Sequence, residues 1–511
     1  MLFNSAEFLF VFLPLTLLLF QWCRSRVSLH SALLILITAS LLFYAWWKPV
    51  YLLLLGGSIV FNFTVAKAIY RFRQRWLCVL GVCANLAVIG YYKYSQFFMQ
   101  NLAALAQFEW QAESILLPLA ISFFTFQQIA YLIDVQRHQV IEHSFSNYVL
   151  FVCFFPQLIA GPIVHHSEMM PQFRQHSQLQ LNAGHLAVGL SIFSIGLFKK
   201  TVLADGIAQY ANPVFNLADA GTALDFFTAW GGALSYTFQL YFDFSGYSDM
   251  AIGLALLFGI SLPLNFNSPY KALNIVDFWR RWHITLSRFL RDYLYISLGG
   301  NRLGFIRRYI NLLLTMVLGG LWHGAGWNFL IWGALHGSYL VINHGFSHLR
   351  QHHFPVLNGR WFMPLAWFIT FIAVVIGWVF FRAQSFDGAL LMLRAMVGAD
   401  GITLPAGILL HLNNWFALSD VIDIGAQSGG GLVFVKTWLW ILALAAIALL
   451  MPNVSQLFAA RLGEHTLKGV ELNQHRLRWQ PNMRWALLCA VLLLVSLSTL
   501  GQISEFLYFN F

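Results

Sequence analysis

The sequence predicts an all-α, polytopic integral membrane protein, and three observations point to that class. Hydrophobic residues make up 59% of the 511 residues and charged residues only 10%, whereas a soluble domain carries about 25% charged residues. Apolar runs of about 20 residues, the length of one helical membrane span, recur along the chain. Aromatic residues reach 17%, and Trp and Tyr favour membrane interfaces.

These runs predict roughly 11–14 membrane helices, some of them re-entrant. The first run is expected to remain as a span, because the residues before it lack the basic segment and cleavage site of a signal peptide. Pro156 and Gly161-Pro162 interrupt the sixth run, and Ser245-Gly246 separates the eighth from the ninth. The candidate spans are residues 5–22, 30–47, 50–69, 76–97, 115–134, 146–164, 184–204, 226–243, 246–262, 305–321, 325–345, 363–381, 433–452 and 485–503.

The distribution of basic residues predicts the orientation of the chain. The formal charge is +10, and the basic residues are scattered through short loops, which fits cytoplasmic loops beside anionic lipid and argues against a nucleic-acid partner. The largest basic region, Lys271 to Arg308, is then cytoplasmic and both termini lie outside. Residues 382–432 are predicted to form a mobile extracytoplasmic loop that is Gly-rich near 425–431.

An Arg/Trp-rich segment, Asp277 to Tyr295, has the pattern of one amphipathic helix at the cytoplasmic interface. Its apolar face includes Trp279 and Trp282, and arginines occupy much of the remaining surface. The arginines are explained either as an interfacial anchor or as a site that attracts an anionic cosubstrate. His283 lies on the predicted apolar face, and the pattern alone favours a structural role for it.

A second segment, Gly319 to Asn328, surrounds His323 with glycines. Glycines allow close helix approach or a broken helix near the imidazole. A neutral imidazole can take a proton from an alcohol and return it to a leaving thiolate near pH 7, which is what acyl transfer from a thioester requires. The alternative is a packed interhelical histidine bonded to a carbonyl group.

Other polar residues in the apolar runs have structural explanations. Asp243 and Asp249 are expected to form structural hydrogen bonds or to pair with Arg280 or Arg281, in preference to relaying protons. Intramembrane Ser, Thr and Gln near Gln127 are typical of contacts between helices. The five cysteines form no Cys-x-x-Cys pair, and the adjacent histidines His165-His166 are a poor metal pair, so no metal site is expected.

Taken in order, several segments resemble the membrane-bound O-acyltransferases, specifically the bacterial branch that includes alginate O-acetyltransferase. The matching segments run in order to about residue 345, and Phe380-Phe-Arg-Ala383 also fits. We therefore treat residues 1–511 as one domain with a motif-rich core at 115–345 and a less diagnostic part at 383–511. The matching segments are Ser122–Gln127, Tyr131–Asp134, Pro156–Pro162, Phe198–Lys200, Asp243–Asp249, Asn265–Tyr270, Asp277–His283 and Leu321–Trp327.

The resemblance implies a ring of membrane helices around a central tunnel, in the bacterial cytoplasmic (inner) membrane. It implies that His323 is the catalytic histidine and that His283 is the second signature histidine. Arg280, Arg281, Trp282 and Asn328 are expected to contact the donor or the tunnel. It also implies acetyl-CoA as the acyl donor, no permanently bound cofactor, an exported polysaccharide as acceptor, and an extracytoplasmic acetyltransferase as partner.

Two alternatives remain open at this stage. Within the same chemistry, the acceptor is alginate, peptidoglycan, cellulose or another polysaccharide, or the reaction is D-alanyl transfer toward teichoic acid. In a different class, broken helices and intramembrane polar groups also suit a transporter of an acyl group or a lipid-linked sugar. No inverted repeat is apparent in the sequence, which disfavours the transporter.

Overall fold

A computed structural model describes residues 1–110, 115–137, 142–174, 182–354, 356, 359–413, 423–424, 430–470, 475–500 and 507. In these ranges the protein is almost entirely helical, and its regular strands are one short parallel pair, β1 (Thr403–Leu404) and β2 (Asp423–Ile424). The helices of the first half are α1 (Phe8–Arg26), α2 (Leu29–Ala45), α3 (Tyr51–Phe72), α4 (Arg75–Ala106), α5 (Ile121–Gln136), α6 (Phe145–Cys153), α7 (Phe155–Leu158), α8 (His166–Met169), α9 (Ala183–Asp219) and α10 (Phe226–Leu257).

The second half begins with short helices and then returns to long ones. Three of the long helices of the chain contain a π-helical segment: α1 at Phe8–Phe12, α4 at Gly90–Tyr94 and α9 at Lys199–Ala204. The remaining α-helices are α11 (Ile275–Arg281), α12 (Ile284–Phe289, continued by a π-helical segment at Leu290–Tyr295), α13 (Phe305–His323), α14 (Trp327–His352), α15 (Met363–Arg382), α16 (Phe386–Met396), α17 (Ala406–Asn413), α18 (Gly430–Leu450), α19 (Val454–Leu457), α20 (Glu464–Leu467) and α21 (Met483–Ser498).

Six helices of the described chain are long and apolar enough to cross a membrane. They are α1, α3, α4, α9, α18 and the stretch Arg360–Arg382, which contains α15. Two shorter apolar helices, α2 and α21, accompany them. The predicted class, an all-α polytopic membrane protein, is therefore confirmed, while the count of 11–14 membrane helices and the central tunnel stay predictions.

Helix α10 is buried along almost its whole length and is shared by two hydrophobic cores. Its first half packs with α9, α15 and α18, and its second half packs with the N-terminal helices. Glycines let its backbone approach α9: a Cβ atom on Gly246 would lie 2.8 Å from the carbonyl oxygen of Gly196, and one on Gly253 would lie 2.6 Å from that of Gly189.

The predicted division of this region at Ser245-Gly246 is wrong, because one helix runs continuously from Phe226 to Leu257. Gly246 serves the close approach between helices and does not mark a break. Such small residues at crossing points are typical of helix packing in membranes.

The predicted interruption of the sixth run is confirmed. Helix α6 ends at Cys153, the short α7 follows, and the chain is irregular up to His165. Polar side chains from other segments satisfy the freed backbone groups: Ser40 accepts from the N–H of Phe155 at 3.1 Å, and Thr285 accepts from that of Ile163 at 3.0 Å. Irregular backbone is tolerated at membrane depth when protein supplies these partners.

The loop predicted at 382–432 is not irregular throughout, because its first part is helical and packed, whereas its extracytoplasmic location stays a prediction. Helix α16 occupies Phe386–Met396, and Ala389, Met392 and Ala395 on one of its faces are fully buried in the second core. These apolar residues recur at the spacing of an amphipathic helix, and that helix is too short to be recognised as a membrane span from the sequence. Of the Gly-rich stretch predicted near 425–431, residues 425–429 lie outside the described residues.

Candidate active site

The Arg/Trp-rich segment does not form the single interfacial helix that its pattern predicts. Helix α11 ends at Arg281, and His283 has a left-handed backbone with φ of 42° before α12 begins at Ile284. Two backbone hydrogen bonds to the irregular segment that contains Asn265 and Asn267 form at the break: Asn267 N–H donates to Arg281 O at 2.9 Å, and Ile284 N–H donates to Asn265 O at 3.0 Å. Tertiary pairing therefore overrides the helical period at this point.

The break turns His283 into the protein interior, where none of it is exposed. The side-chain oxygen of Asn265 lies 3.1 Å from Nδ1 of His283, and it also accepts from the backbone N–H and the hydroxyl of Thr285 at 3.2 and 2.9 Å. Asn265 thus links the imidazole to the first turn of α12. The ring of Phe244 contacts His283 edge-on at 4.8 Å, and so low a polarity disfavours a charged imidazolium.

His323 is the last residue of α13, and a Gly-Ala-Gly connection leads to α14. The side chain is 5% exposed and lies among aromatic rings, with centroid distances of 5.1 Å to Trp332 and 5.2 Å to Phe381. Close approach of α13 and α14 requires glycine, since a Cβ atom on Gly320 would overlap the carbonyl oxygen of Phe329. The role predicted for the glycines around His323 is confirmed.

The two signature histidines meet in the fold. The ring centroids of His283 and His323 are 6.4 Å apart, with an angle of 61° between the planes. Both rings contact Trp322, at 6.2 Å from His283 and 4.9 Å from His323. The break at His283 and the end of α13 at His323 thus bring two buried imidazoles to one place.

The four residues predicted to contact the donor or the tunnel have different surroundings. Arg280 is exposed, whereas Arg281 donates from Nε to Asp277 at 2.8 Å. Trp282 is buried between Phe278 and Trp378, at centroid distances of 5.7 and 4.8 Å. Asn328, in the first turn of α14, donates to the carbonyl oxygen of Ala383 at 2.7 Å. Of the two arginines, Arg281 is paired with the Asp277 carboxylate. Arg280 is exposed and has no carboxylate partner among the described ion pairs.

A third histidine near the site carries no prediction from the sequence. His336 on α14 is fully buried, contacts Trp332 at 4.8 Å and Trp279 at 5.3 Å, and among the described residues neither ring nitrogen has a hydrogen-bond partner. A Cβ atom on Gly377 would lie 2.7 Å from its Nε2. An intramembrane histidine in an apolar run is the signal that marks it.

A lysine from α4 also reaches the site. Lys93 donates to the backbone oxygens of Trp322 and His323 at 2.6 and 3.1 Å, and its ammonium lies 5.9 Å from the centre of the Trp322 ring. Its position inside the predicted span 76–97 is the sequence signal, because a lysine at membrane depth needs polar partners.

The two carboxylates of α10 pair with lysines of α9 and not with the arginines that the sequence suggested. Lys199 contacts Asp249 at 2.6 Å, and Lys200 contacts Asp243 at 2.7 Å. The predicted pairing with Arg280 or Arg281 is therefore wrong, and the preference for a structural role over proton relay stays a prediction. The adjacent lysines lie in the π-helical segment Lys199–Ala204.

A polar cluster away from the histidine pair joins α5 to the segment after α12. Tyr293 donates to Asp134 at 2.6 Å, and Nδ1 of His165 and of His166 lie 3.8 and 3.4 Å from the same carboxylate oxygen. Burial lowers the pKa of His166 to about 4. These residues line a cavity of about 470 Å³ that also includes Arg137. Among the described residues, no set of His, Cys, Asp or Glu is arranged to hold a metal ion.

Comparison with known proteins places this arrangement in a family. Residues 136–384 match the family model of the membrane-bound O-acyltransferases. The matched region contains His283, His323 and the lysine–carboxylate pairs.

Relatives of known name cover most of the chain. A peptidoglycan O-acetyltransferase of Helicobacter pylori is 50% identical over an alignment of 439 residues, and the match covers 79% of this chain and 81% of that protein. A probable alginate O-acetylase of Pseudomonas aeruginosa is 46% identical over 408 residues, or 78% of this chain and 75% of that protein. A teichoic acid D-alanyltransferase of Bacillus subtilis is 28% identical over 281 residues, or 52% and 69%. The chain belongs to the membrane-bound O-acyltransferase family, and it is an acyltransferase embedded in a membrane by several helices.

Proposed function

We propose that this protein moves an acetyl group from acetyl-CoA on the cytoplasmic side of the bacterial inner membrane to a polysaccharide hydroxyl outside, through an extracytoplasmic partner transferase. One observation carries the assignment of the site: the imidazoles of His283 and His323 lie 6.4 Å apart in the protein interior. That separation allows both rings to contact groups bound between them within ordinary hydrogen-bonding reach.

The donor approaches from the predicted cytoplasmic surface, where Arg280 is exposed. The exposed guanidinium of Arg280 attracts the phosphates of coenzyme A. The ion pair between Arg281 and Asp277 joins the last turn of α11 to its first turn. Trp282 and Asn328 act at shorter range. Trp282 packs against Trp378 next to His283, and Asn328 donates a hydrogen bond to Ala383 at the end of α15. The thioester is thereby directed toward His323.

In the chemical step, His323 takes the proton of an acceptor hydroxyl, whose oxygen attacks the thioester carbonyl carbon. The C–S bond breaks as the C–O ester bond forms, and the imidazolium returns the proton to the departing thiolate. A neutral imidazole is the form that this step requires, and a buried, apolar setting favours that form. The hydroxyl belongs either to the sugar or to a serine of the partner transferase.

His283 assists this reaction from beside His323, and both imidazoles contact Trp322. Its Nδ1 lies 3.1 Å from Asn265, whose oxygen already accepts two hydrogen bonds from Thr285, so this oxygen also favours the Nδ1–H tautomer. Nε2 of that tautomer is an acceptor on the far edge of the ring. His283 in this form orients a hydroxyl or the donor for His323.

Two acceptors have specific support. The relative named a peptidoglycan O-acetyltransferase shares 50% of aligned residues with this chain, and relatives named probable alginate O-acetylases share 40–46%. D-alanyl transfer to teichoic acid has weaker support, since those relatives share 26–28% over about half the chain. The proposal is therefore O-acetylation of an exported polysaccharide, with alginate and peptidoglycan as its two candidates.

The experiment compares cells that carry the wild-type gene with cells that carry His323→Ala or no copy. Ester-linked acetate is measured separately on isolated exopolysaccharide and on isolated peptidoglycan, and purified protein in liposomes is supplied with acetyl-labelled coenzyme A. Loss of acetate from one polymer in both mutants supports the proposal and identifies the acceptor. Unchanged acetate on both polymers contradicts it, and solute flux without covalent transfer would favour a transporter.

A further inference from the structure

The C-terminal end of α13 is completed by side chains from α4. An α-helix leaves its last four carbonyl groups without partners inside the helix. Here those groups belong to residues 320–323, and each has a donor. Gly320 O accepts from the N–H of Gly324 at 3.4 Å, and Leu321 O accepts from the hydroxyl of Tyr94 at 2.7 Å. The Lys93 ammonium donates to the last two, at Trp322 and His323.

This arrangement makes one side chain responsible for the two carbonyls nearest the histidine. An ammonium at a helix C-terminus also interacts favourably with the negative end of the helix dipole. Its location beside the Trp322 ring adds a cation–π contact, with 5.9 Å between the nitrogen and the ring centre. A charge at membrane depth is costly, so an ammonium bound to two carbonyls and a ring here has a specific task.

We propose that Lys93 is a positioning residue for acyl transfer: its ammonium fixes the last turn of α13 and, through it, the imidazole of His323. The inference rests on the proposed role of His323. Lys93 acts through the backbone and is not itself assigned to contact the substrates. Tyr94 supports the same turn one carbonyl earlier, at Leu321.

The local sequence explains why this turn needs an external clamp. His323 is the final helical residue, and Gly324 and Gly326 adopt extended backbone angles before α14 starts at Trp327. Helix ends fray readily, and the Gly-Ala-Gly connection contributes little stiffness. A displacement of about 1 Å at a reacting group can cost about 100-fold in rate. The clamp by Lys93 therefore bears directly on the rate of the chemical step.

The test uses four variants of the full-length protein. Lys93→Met keeps the length of the side chain but removes the hydrogen-bond donor and the charge. Lys93→Arg keeps the donor and the charge. Tyr94→Phe releases only the carbonyl of Leu321. Lys67→Met is the matched control, because Lys67 is exposed on α3 and its ammonium lies over the ring of Phe63.

The kinetic measurement is acetyl transfer from labelled acetyl-CoA, with kcat and KM for the donor determined separately. Lys93→Met is expected to lower kcat at least about tenfold while KM changes less than about threefold, because the donor site is intact and only the reacting group is displaced. Lys93→Arg should recover much of kcat, Tyr94→Phe should lose less than Lys93→Met, and Lys67→Met should match the wild type. A wild-type kcat for Lys93→Met overturns the inference. It is also overturned if the activity of Lys93→Met falls only in proportion to the amount of folded protein and Lys93→Arg loses as much activity.

A second measurement does not depend on activity. Hydrogen–deuterium exchange of the peptide that spans residues 318–326 should be faster in Lys93→Met and unchanged in Lys67→Met, because the last turn opens more often. Unchanged exchange in Lys93→Met overturns the positioning role whatever the enzyme acetylates.

The two proposals fail in different ways. If His323→Ala retains full transfer, the assignment of His323 is wrong, even where exchange shows that Lys93 orders the turn. If His323→Ala is inactive and Lys93→Met is fully active with normal exchange, only the role of Lys93 is wrong.

Discussion

The ring centroids of His283 and His323 lie 6.4 Å apart, although one histidine occupies a helix break and the other ends a long helix. The break depends on Asn265, which holds both His283 and Thr285, and the helix end depends on Lys93 and Tyr94. The site is thus built from three separate parts of the chain. The residues that support the two histidines can therefore be tested separately from the histidines themselves.

Replacing Asn265 should disturb the break at His283. Asn265→Leu leaves the buried N–H and hydroxyl of Thr285 without their acceptor, and we expect it to lower the free energy of unfolding by about 3 kcal/mol. The measurement is denaturant unfolding of the purified protein in detergent. Asn101→Leu is the control, since Asn101 accepts an exposed hydrogen bond from Trp327 and donates a local one to the carbonyl oxygen of Phe97. A loss as large in the control would contradict the prediction.

The ion pair between Lys199 and Asp249 should be costly to break from one side only. Both side chains are largely buried, so Lys199→Met leaves an uncompensated carboxylate and should destabilise the protein by about 3 kcal/mol. The double variant Lys199→Met/Asp249→Leu should recover most of that loss. Thermal unfolding of the two variants provides the comparison, and equal stability of single and double variants would argue against a coupled buried pair.

Packing around His336 should tolerate no added methyl group on α15. Gly377→Ala places a Cβ atom 2.7 Å from Nε2 of a ring that tryptophans enclose, and overpacking of this kind costs about 1–3 kcal/mol. Gly57→Ala is the matched control, because Gly57 is also helical but a Cβ there meets nothing within 4 Å. The control should be neutral or stabilised by up to about 1 kcal/mol in the same thermal assay. Equal stability of the two variants would contradict the packing argument.

The exposed Arg280 should matter for donor affinity more than for stability. Arg280→Ala is expected to raise KM for acetyl-CoA about threefold or more at low salt and less at high salt, because a solvent-exposed charge is screened. Arg26→Ala removes an exposed arginine from the end of α1 and serves as control. An unchanged KM at low salt would remove Arg280 from the donor site.

Composition predicted the membrane class, and the ordered motifs that resemble the family pointed to His283 and His323, whose roles stay a prediction. Sequence patterns failed where a distant segment decides the local structure. The helical period of residues 277–295 gave no sign of the break at His283, since the pairing with Asn265 and Asn267 is tertiary. Likewise, Ser245-Gly246 resembled a break until the approach of α9 showed why glycine stands there.

Charge partners were the least predictable feature of the site. Asp243 and Asp249 lie on one helix and Lys199 and Lys200 on another, so only the crossing of α9 and α10 brings them together. The arginines that the sequence suggested as partners lie in a different part of the fold, where Arg281 pairs with Asp277. The same limit applies to Lys93, whose partners are backbone carbonyls that no sequence motif encodes.

The most direct test of the central claim is transfer of labelled acetyl from acetyl-CoA by purified, folded His323→Ala protein in liposomes. His353→Ala, at an exposed histidine just after α14, is the control. The proposal predicts a fall in transfer of at least about 1000-fold for His323→Ala, as expected when a general base and its placement are both lost, and wild-type transfer for His353→Ala. Transfer by His323→Ala at the wild-type rate would contradict the account.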